Sequence, residues 1–179
     1  NGSIAVRILS FQDVEIDEDF WTKRIKEAYE LRQQIHLTDN KSTNIYRLIH
    51  AEGDGLPGLI LDYYAGTVVV QSHSIGMHYA KDIIVKAIKN VYGDKLKAIF
   101  DKSEGTLPKT GPVQVEDHYI YQSEDFTSVG LEHGCKFKID WEKGQKTGFF
   151  IDQRDNRALL ASYSKGKKVL NTFCYTGGF

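Results

Sequence analysis

Two stretches of the sequence hold most of the residue types that could bind or transform a ligand. The first is Lys143-Gly144-Gln145-Lys146-Thr147-Gly148-Phe149-Phe150-Ile151-Asp152-Gln153-Arg154-Asp155-Asn156-Arg157. It packs glycines, cations and hydrogen-bonding side chains around an aromatic pair. As a binding element it would be a polar clamp. The Arg154 fork suits a carboxylate held at two points, amides at a helix start favour an anion, and Phe149 and Phe150 supply an apolar wall. As plain scaffold it would be a loop that caps a helix through Asp152, with Arg154 and Arg157 solvated. Periodicity does not choose between these readings. The second stretch is Val169-Leu170-Asn171-Thr172-Phe173 running into Cys174-Tyr175-Thr176-Gly177-Gly178-Phe179. In α/β sheets a ligand sits at the carboxyl end of such a strand, where glycine lets the backbone come close. The turn is not G-x-G-x-x-G, so a dinucleotide is poorly supported. By itself a strand followed by two glycines is more often only a tight turn.

Other candidates weaken on inspection. His36, His50, His73, His78, His118 and His133 lack metal-ligand spacing, so no zinc site is supported. Glu52, Asp54 and Asp62 read as a turn and strand-edge set. Tyr63, Tyr64, Tyr119 and Tyr121 have the faces to stack bases, although alternating strand aromatics are usually cross-strand pairs. Cys174 reads as a small residue in a packed turn rather than a nucleophile.

These residues need elements to position them. Residues 4–11 alternate apolar with polar or small side chains and predict a strand. A helix follows, with Asp17 or Asp19 as its cap and Trp21, Ile25, Ala28, Leu31 and Ile35 as one apolar stripe. It reads as a connector between domains. The block from 44 to 122 reads as α+β: strands at 45–51 and 59–64, a hairpin through Ala65-Gly66 into 67–71, a helix through Tyr79, Ile83, Ile84, Ala87, Ile88 and Val91 ending near Gly93, and a strand at 97–100. A second hairpin is predicted to join Val113-Gln114-Val115 to Tyr119-Ile120-Tyr121, after a loop from Ser103 to Gly111. Beyond Phe126, Val129-Gly130-Leu131 and residues 137–141 flank Gly134 as another hairpin. Asp152 is placed to cap a helix from Gln153 to Tyr163, and Val169–Phe173 is predicted as a buried-type strand.

Composition sets bounds. The chain has 179 residues, a formal net charge of −1 and two cysteines, Cys135 and Cys174. That length allows one substantial core or two small ones. Two cysteines make no disulfide framework, so a reducing, cytoplasmic setting is the expectation. No apolar run is long enough for a membrane span, and Asn1-Gly2-Ser3-Ile4 opens no signal peptide. A nucleic-acid-binding domain usually carries a basic excess. This chain does not, so charge gives no support for an RNA partner.

The run Gly144–Arg157, the run Val169–Phe179 and the turn Glu52-Gly53-Asp54-Gly55-Leu56-Pro57-Gly58-Leu59-Ile60 within 47–62 together resemble the bacterial large-subunit (23S) ribosomal RNA cytosine-C5 methyltransferases. The resemblance covers essentially the whole chain. It implies an end of an N-terminal PUA β domain at 1–12, a connecting helix at 13–40, and a central α+β domain at 41–125. Residues 126–179 would start a Rossmann-like domain for S-adenosylmethionine (SAM). Lys146, Thr147, Gly148, Phe149, Phe150, Asp152, Gln153 and Arg154 would then lie over the SAM pocket, with Cys174, Tyr175, Thr176, Gly177, Gly178 and Phe179 around the methionine part. The family's ribose-binding acid, Asp-Pro-Pro motif and catalytic cysteine have no counterpart here. The piece is therefore expected to be inactive by itself, with no catalytic or metal-binding residue of its own. RNA, 23S ribosomal RNA in particular, is the implied partner, and a homodimer is compatible with the reading. The rivals are a relative that methylates another base, such as guanine, and a module that only grips RNA.

Overall fold

The computed structural model of the protein describes residues 6–107 and 113–179. Helix α1 spans Glu18–Gln34, and the Asp17 carboxylate accepts from the Phe20 amide at 2.9 Å, so Asp17 is its cap. Trp21, Ile25 and Ala28 are buried as the stripe predicts, but Leu31 and Ile35 stay exposed. Arg32 turns inward instead, because its guanidinium forks onto Asp54 and its Nε donates to the Arg47 carbonyl at 3.0 Å. The helix does more than connect. Its stripe shares one core with Tyr46, Leu48, Ile84 and Ile88.

Strands β1 (Ile45–His50), β2 (Leu59–Tyr64), β3 (Thr67–Ser72), β4 (Ala98–Asp101) and β5 (His118–Gln122) form one sheet in that order. The β2–β3 hairpin turns through Ala65 and Gly66 at φ 48° and 106°, the left-handed pair that matches strand twist in a two-residue turn. Helices α2 (Ile75–Tyr79) and α3 (Lys81–Tyr92) carry the chain over to β4, which runs parallel to β3. The hairpin predicted between 113–115 and 119–121 does not form. Residues 113–117 are not strand, and β5 pairs antiparallel with β4, setting Phe100 opposite Tyr119. The two rings pack edge to face at 4.8 Å, an aromatic contact that Val115 could not supply.

Both faces of the sheet are covered. Tyr46, Leu48, Leu61, Val68, Val70 and Ile99 face α1 and α3. Ile45, Tyr64, Val69 and Phe100 face Ile139, Trp141 and Phe149. Those last three come from the segment that follows the hairpin β6 (Val129–Glu132) and β7 (Cys135–Lys138). Gly130 is needed there: a Cβ on it would lie 2.7 Å from the Ile45 side chain.

Helix α4 spans Arg154–Ser164. Asp152 does not cap it as expected. Its carboxylate is pulled aside to Lys146 at 3.2 Å, and a short 3-10 turn at Ile151–Gln153 leads in instead. The strand expected at 169–173 is absent as well. No strand among the described residues lies beside it, and Leu170 and Phe173 are exposed. A buried-type strand needs paired edges. The strand expected at 4–11 also fails where it can be seen: residues 6–11 are irregular, and 4–5 lie outside the described residues. No helix among the described residues is long and apolar enough to cross a membrane.

Candidate functional site

Two buried clusters fix the Lys143–Arg157 stretch. The first joins it to the sheet. Thr147 is fully buried and its Oγ1 donates to Asp62 at 2.5 Å. That hydroxyl has one proton, so Tyr64, 2.7 Å away, must be the donor to Thr147. Burial, and then the Asp62 charge, push the Tyr64 phenol well above its ordinary range, so it keeps the proton it donates. Arg47 forks onto Asp62 at 2.8 and 3.0 Å. The hydrogen bonds to Asp62 hold Arg47 charged more firmly than a free guanidinium. Lys102 ties the same seam by donating to the carbonyls of Trp141 and Gly144. Burial lowers its pKa, partly countered by Asp117 and Asp140.

The second cluster centres on Glu132, which is 2% exposed. Arg157 meets it through Nε at 2.6 Å and Nη2 at 2.9 Å. Arg154 adds a longer contact at 3.4 Å and gives Nη2 to the Ile45 carbonyl. The Arg157 guanidinium lies 4.5 Å from the Phe149 ring centre and 5.8 Å from that of Phe179. Beside this cluster opens a cleft of about 530 Å³, walled by Phe137, Leu160 and Val169, floored by Glu132 and Arg157, and rimmed by Gly177, Gly178 and Phe179.

The structure thus divides the residues singled out from sequence. Gly177, Gly178 and Phe179 meet at the cleft. Gly177 adopts φ 73° and its amide donates to the Cys174 carbonyl at 2.7 Å, which closes the turn. Cys174 and Thr176 are exposed. The Tyr175 hydroxyl accepts from the Gln145 amide at 2.9 Å, and its ring meets Phe150 edge to face. Lys146 sits away from the cleft, over the Phe150 ring at 4.5 Å and paired with Asp152. Gln153 bridges Asp152 and Asn156. Thr147, Gly148 and Phe149 are interior. Arg154 is not the open clamp expected of it, since its fork is spent on Glu132 and a backbone carbonyl. Sequence reasoning missed Glu132, and it gave Arg157 no part in the clamp, placing it only in the scaffold reading, as a solvated residue. The signal was there: Gly130 and Glu132 share one face of β6, the face that is buried, and a buried carboxylate calls for a cation.

The residues around this cleft fall within a segment that matches a family model. The model of a family of S-adenosylmethionine-dependent methyltransferases matches residues 121–179. More particularly, the chain is similar to ribosomal RNA large subunit methyltransferase I. It is 38% identical to that of Aeromonas hydrophila, over 100% of this chain and 45% of the relative. It is 42% identical to that of Shewanella frigidimarina, over 99% and 44%. Among solved structures, a candidate methyltransferase in complex with S-adenosylhomocysteine (SAH) superposes with a TM-score of 0.77 at 26% identity, covering 95% of this chain and 42% of the other. The chain spans about 45% of the length of the first of these curated relatives.

Proposed function

We propose that this chain is part of a SAM-dependent methyltransferase that modifies large-subunit ribosomal RNA, at C5 of a cytosine. The carrying observation is that similarity to the ribosomal RNA methyltransferases runs through the whole chain, while the cofactor-family match covers the segment that builds the cleft. In this reading residues 126–179 belong to the SAM domain, 41–125 to a central domain joined to it by the Asp62–Thr147 seam, 13–40 to a connecting helix and 1–12 to a PUA domain. RNA is the partner.

The cleft has the make-up of a cofactor pocket, apolar walls with a few convergent polar groups. Bound SAM would supply an electrophilic methyl group. The chain's own part is to hold that molecule. The Gly177-Gly178 turn leaves room for close backbone approach, and Phe137, Phe179 and Leu160 keep water from the bound body. Of the segment 146–154, Thr147 and Phe149 would act from behind, by fixing the turn that leads into the helix carrying Arg157. Calorimetric titration of SAH into the chain should show one saturable site. Absence of binding would remove the cofactor reading for these residues.

A further inference from the structure

Arg47, His73, Lys102 and Lys146 line a second cleft, of about 510 Å³, between the sheet and the turn at Gly144. It shares no lining residue with the cofactor cleft. Asp117 is the one carboxylate on its wall. The acids that partner two of the cations stand back from it. Asp62, under Arg47, has no exposed surface, and Asp152, beside Lys146, does not line the cleft. Arg47 keeps 33% of its side chain exposed. Lys102 differs from both. It pairs with no carboxylate among the described residues and donates instead to the carbonyls of Trp141 and Gly144. An ammonium has three protons, so one is left for a ligand, and the two bonds already made fix the amine in place. A group held in advance loses little entropy on binding. His73 reports the local field. Burial first, and then the charges of Arg47 and Arg7, lower its pKa, with Glu52 opposing. The part due to the arginines is positive potential in a concave site, which favours an anion.

We infer that this cleft holds the sugar–phosphate backbone of single-stranded RNA, with Lys102 as the phosphate contact and Arg47 and Lys146 beside it. The assignment rests on the proposed function, which makes RNA the partner, and adds the surface by which this chain grips it. The cations come from three places, Arg47 on β1, Lys102 just after β4 and Lys146 in the turn. Donors so arranged surround a tetrahedral group, whereas a planar carboxylate is met by a single fork. The cleft is larger than one phosphate needs, which leaves room for the ribose. The net charge of −1 is an average over the whole chain. The wall of this cleft carries three fixed cations against one acid.

The test titrates labelled single-stranded segments of large-subunit ribosomal RNA into the chain over a range of salt, followed by fluorescence anisotropy. Wild type is compared with Lys102→Met, Lys146→Gln and, as control, Lys26→Gln on the exposed side of α1. Each phosphate contact on a single strand adds about 0.7 to the steepness of log K against log salt. The slope should drop by about that amount in Lys102→Met and in Lys146→Gln, and hold in Lys26→Gln. Lys102 also ties the turn, so a second measurement uses wild type alone. The charged groups around His73 are Arg47, Arg7 and Glu52, with Lys102, Lys146 and Asp117 on the same wall. A backbone phosphate offsets the arginines, so the His73 pKa, followed by NMR, should rise with RNA and stay put with inorganic phosphate at equal ionic strength. An unchanged slope in either cleft variant, or an unmoved His73, would overturn the inference and leave RNA as partner. An equal rise with inorganic phosphate would make this a site for free anions and overturn it too. Wild type that binds no RNA would overturn both the inference and RNA as the partner of this chain.

Discussion

Asp62 has no exposed surface; Arg47 forks onto both of its oxygens, and Thr147 donates to one of them. Each partner does a different job. Arg47 supplies the opposite charge, and Thr147 accepts from Tyr64 while donating to the same acid. Thr147→Val keeps the shape and removes that link. It leaves the Tyr64 hydroxyl unpaired in the interior, a loss of about 1–3 kcal/mol. For a chain of this size the melting midpoint should fall by about 2–4 °C for each of those. Thr147→Ser should recover most of it. Thermal unfolding followed by circular dichroism reads the difference, and an unchanged midpoint in Thr147→Val would show that the contact stabilises nothing. The Lys146–Asp152 pair is a useful contrast. Its side chains are 46% and 58% exposed, and an ion pair so open to water adds little. Burial is the largest single influence on the Asp152 pKa and raises it, but the hydrogen bonds from Lys146 and Gln153 together with the Lys146 charge outweigh it, and the net shift is downward.

At the scale of elements, the turn from Asp140 to Gly148 is held by close backbone approach. Gly148 sits at φ 109°, and a Cβ there would lie 2.7 Å from the Trp141 amide nitrogen. Gly148→Ala should therefore cost at least about 1–3 kcal/mol through overpacking against backbone. Gly76→Ala is the control. Gly76 lies in α2 with nothing within 4 Å of the added methyl, so the change should be neutral or stabilise by about 0.4–1 kcal/mol. Urea midpoints for the two variants should move in different directions or by clearly different amounts. Equal shifts would refute the close-approach account. The same elements show what the sequence made legible. Strands β2 and β3 and their Ala65-Gly66 turn could be read directly, because a β-branched run, a two-residue turn and partners a few residues apart are all local facts. An acidic cap at Asp17 or Asp19 was legible for the same reason, and the structure selects Asp17. The partner of β5 was not, because Val113–Val115 is nearer in sequence and only packing of Tyr119 on Phe100 selects β4. Nor was the clamp: Arg154 and Arg157 lie on one helix with similar surroundings in sequence. Only the position of Glu132, supplied by another hairpin, tells them apart.

The molecule as a whole is a sheet with two unlike covers. One is the pair α1 and α3, the other the segment from Phe137 to Ile151. Amide exchange should follow that layering. Protection should be greatest in β2, β3 and β4, which lie inside the sheet order, and least in residues 165–179, which are mostly exposed. Fast exchange throughout β2 and β3 would contradict a packed central sheet. The two covers are also made at different times. Asp62 and Thr147 are 85 residues apart in the chain. A ribosome adds about 5–20 residues per second, so roughly 4–17 s separate their synthesis. Arg47 precedes Asp62 by only 15 residues, so the acid has its counterion as soon as the first strands pair. The face bearing Ile45, Tyr64, Val69 and Phe100 has no such early companion. It waits for Ile139, Trp141 and Phe149 to be made. During that interval a nascent chain presents an uncovered apolar sheet face, and it is then that a chaperone has most to grip.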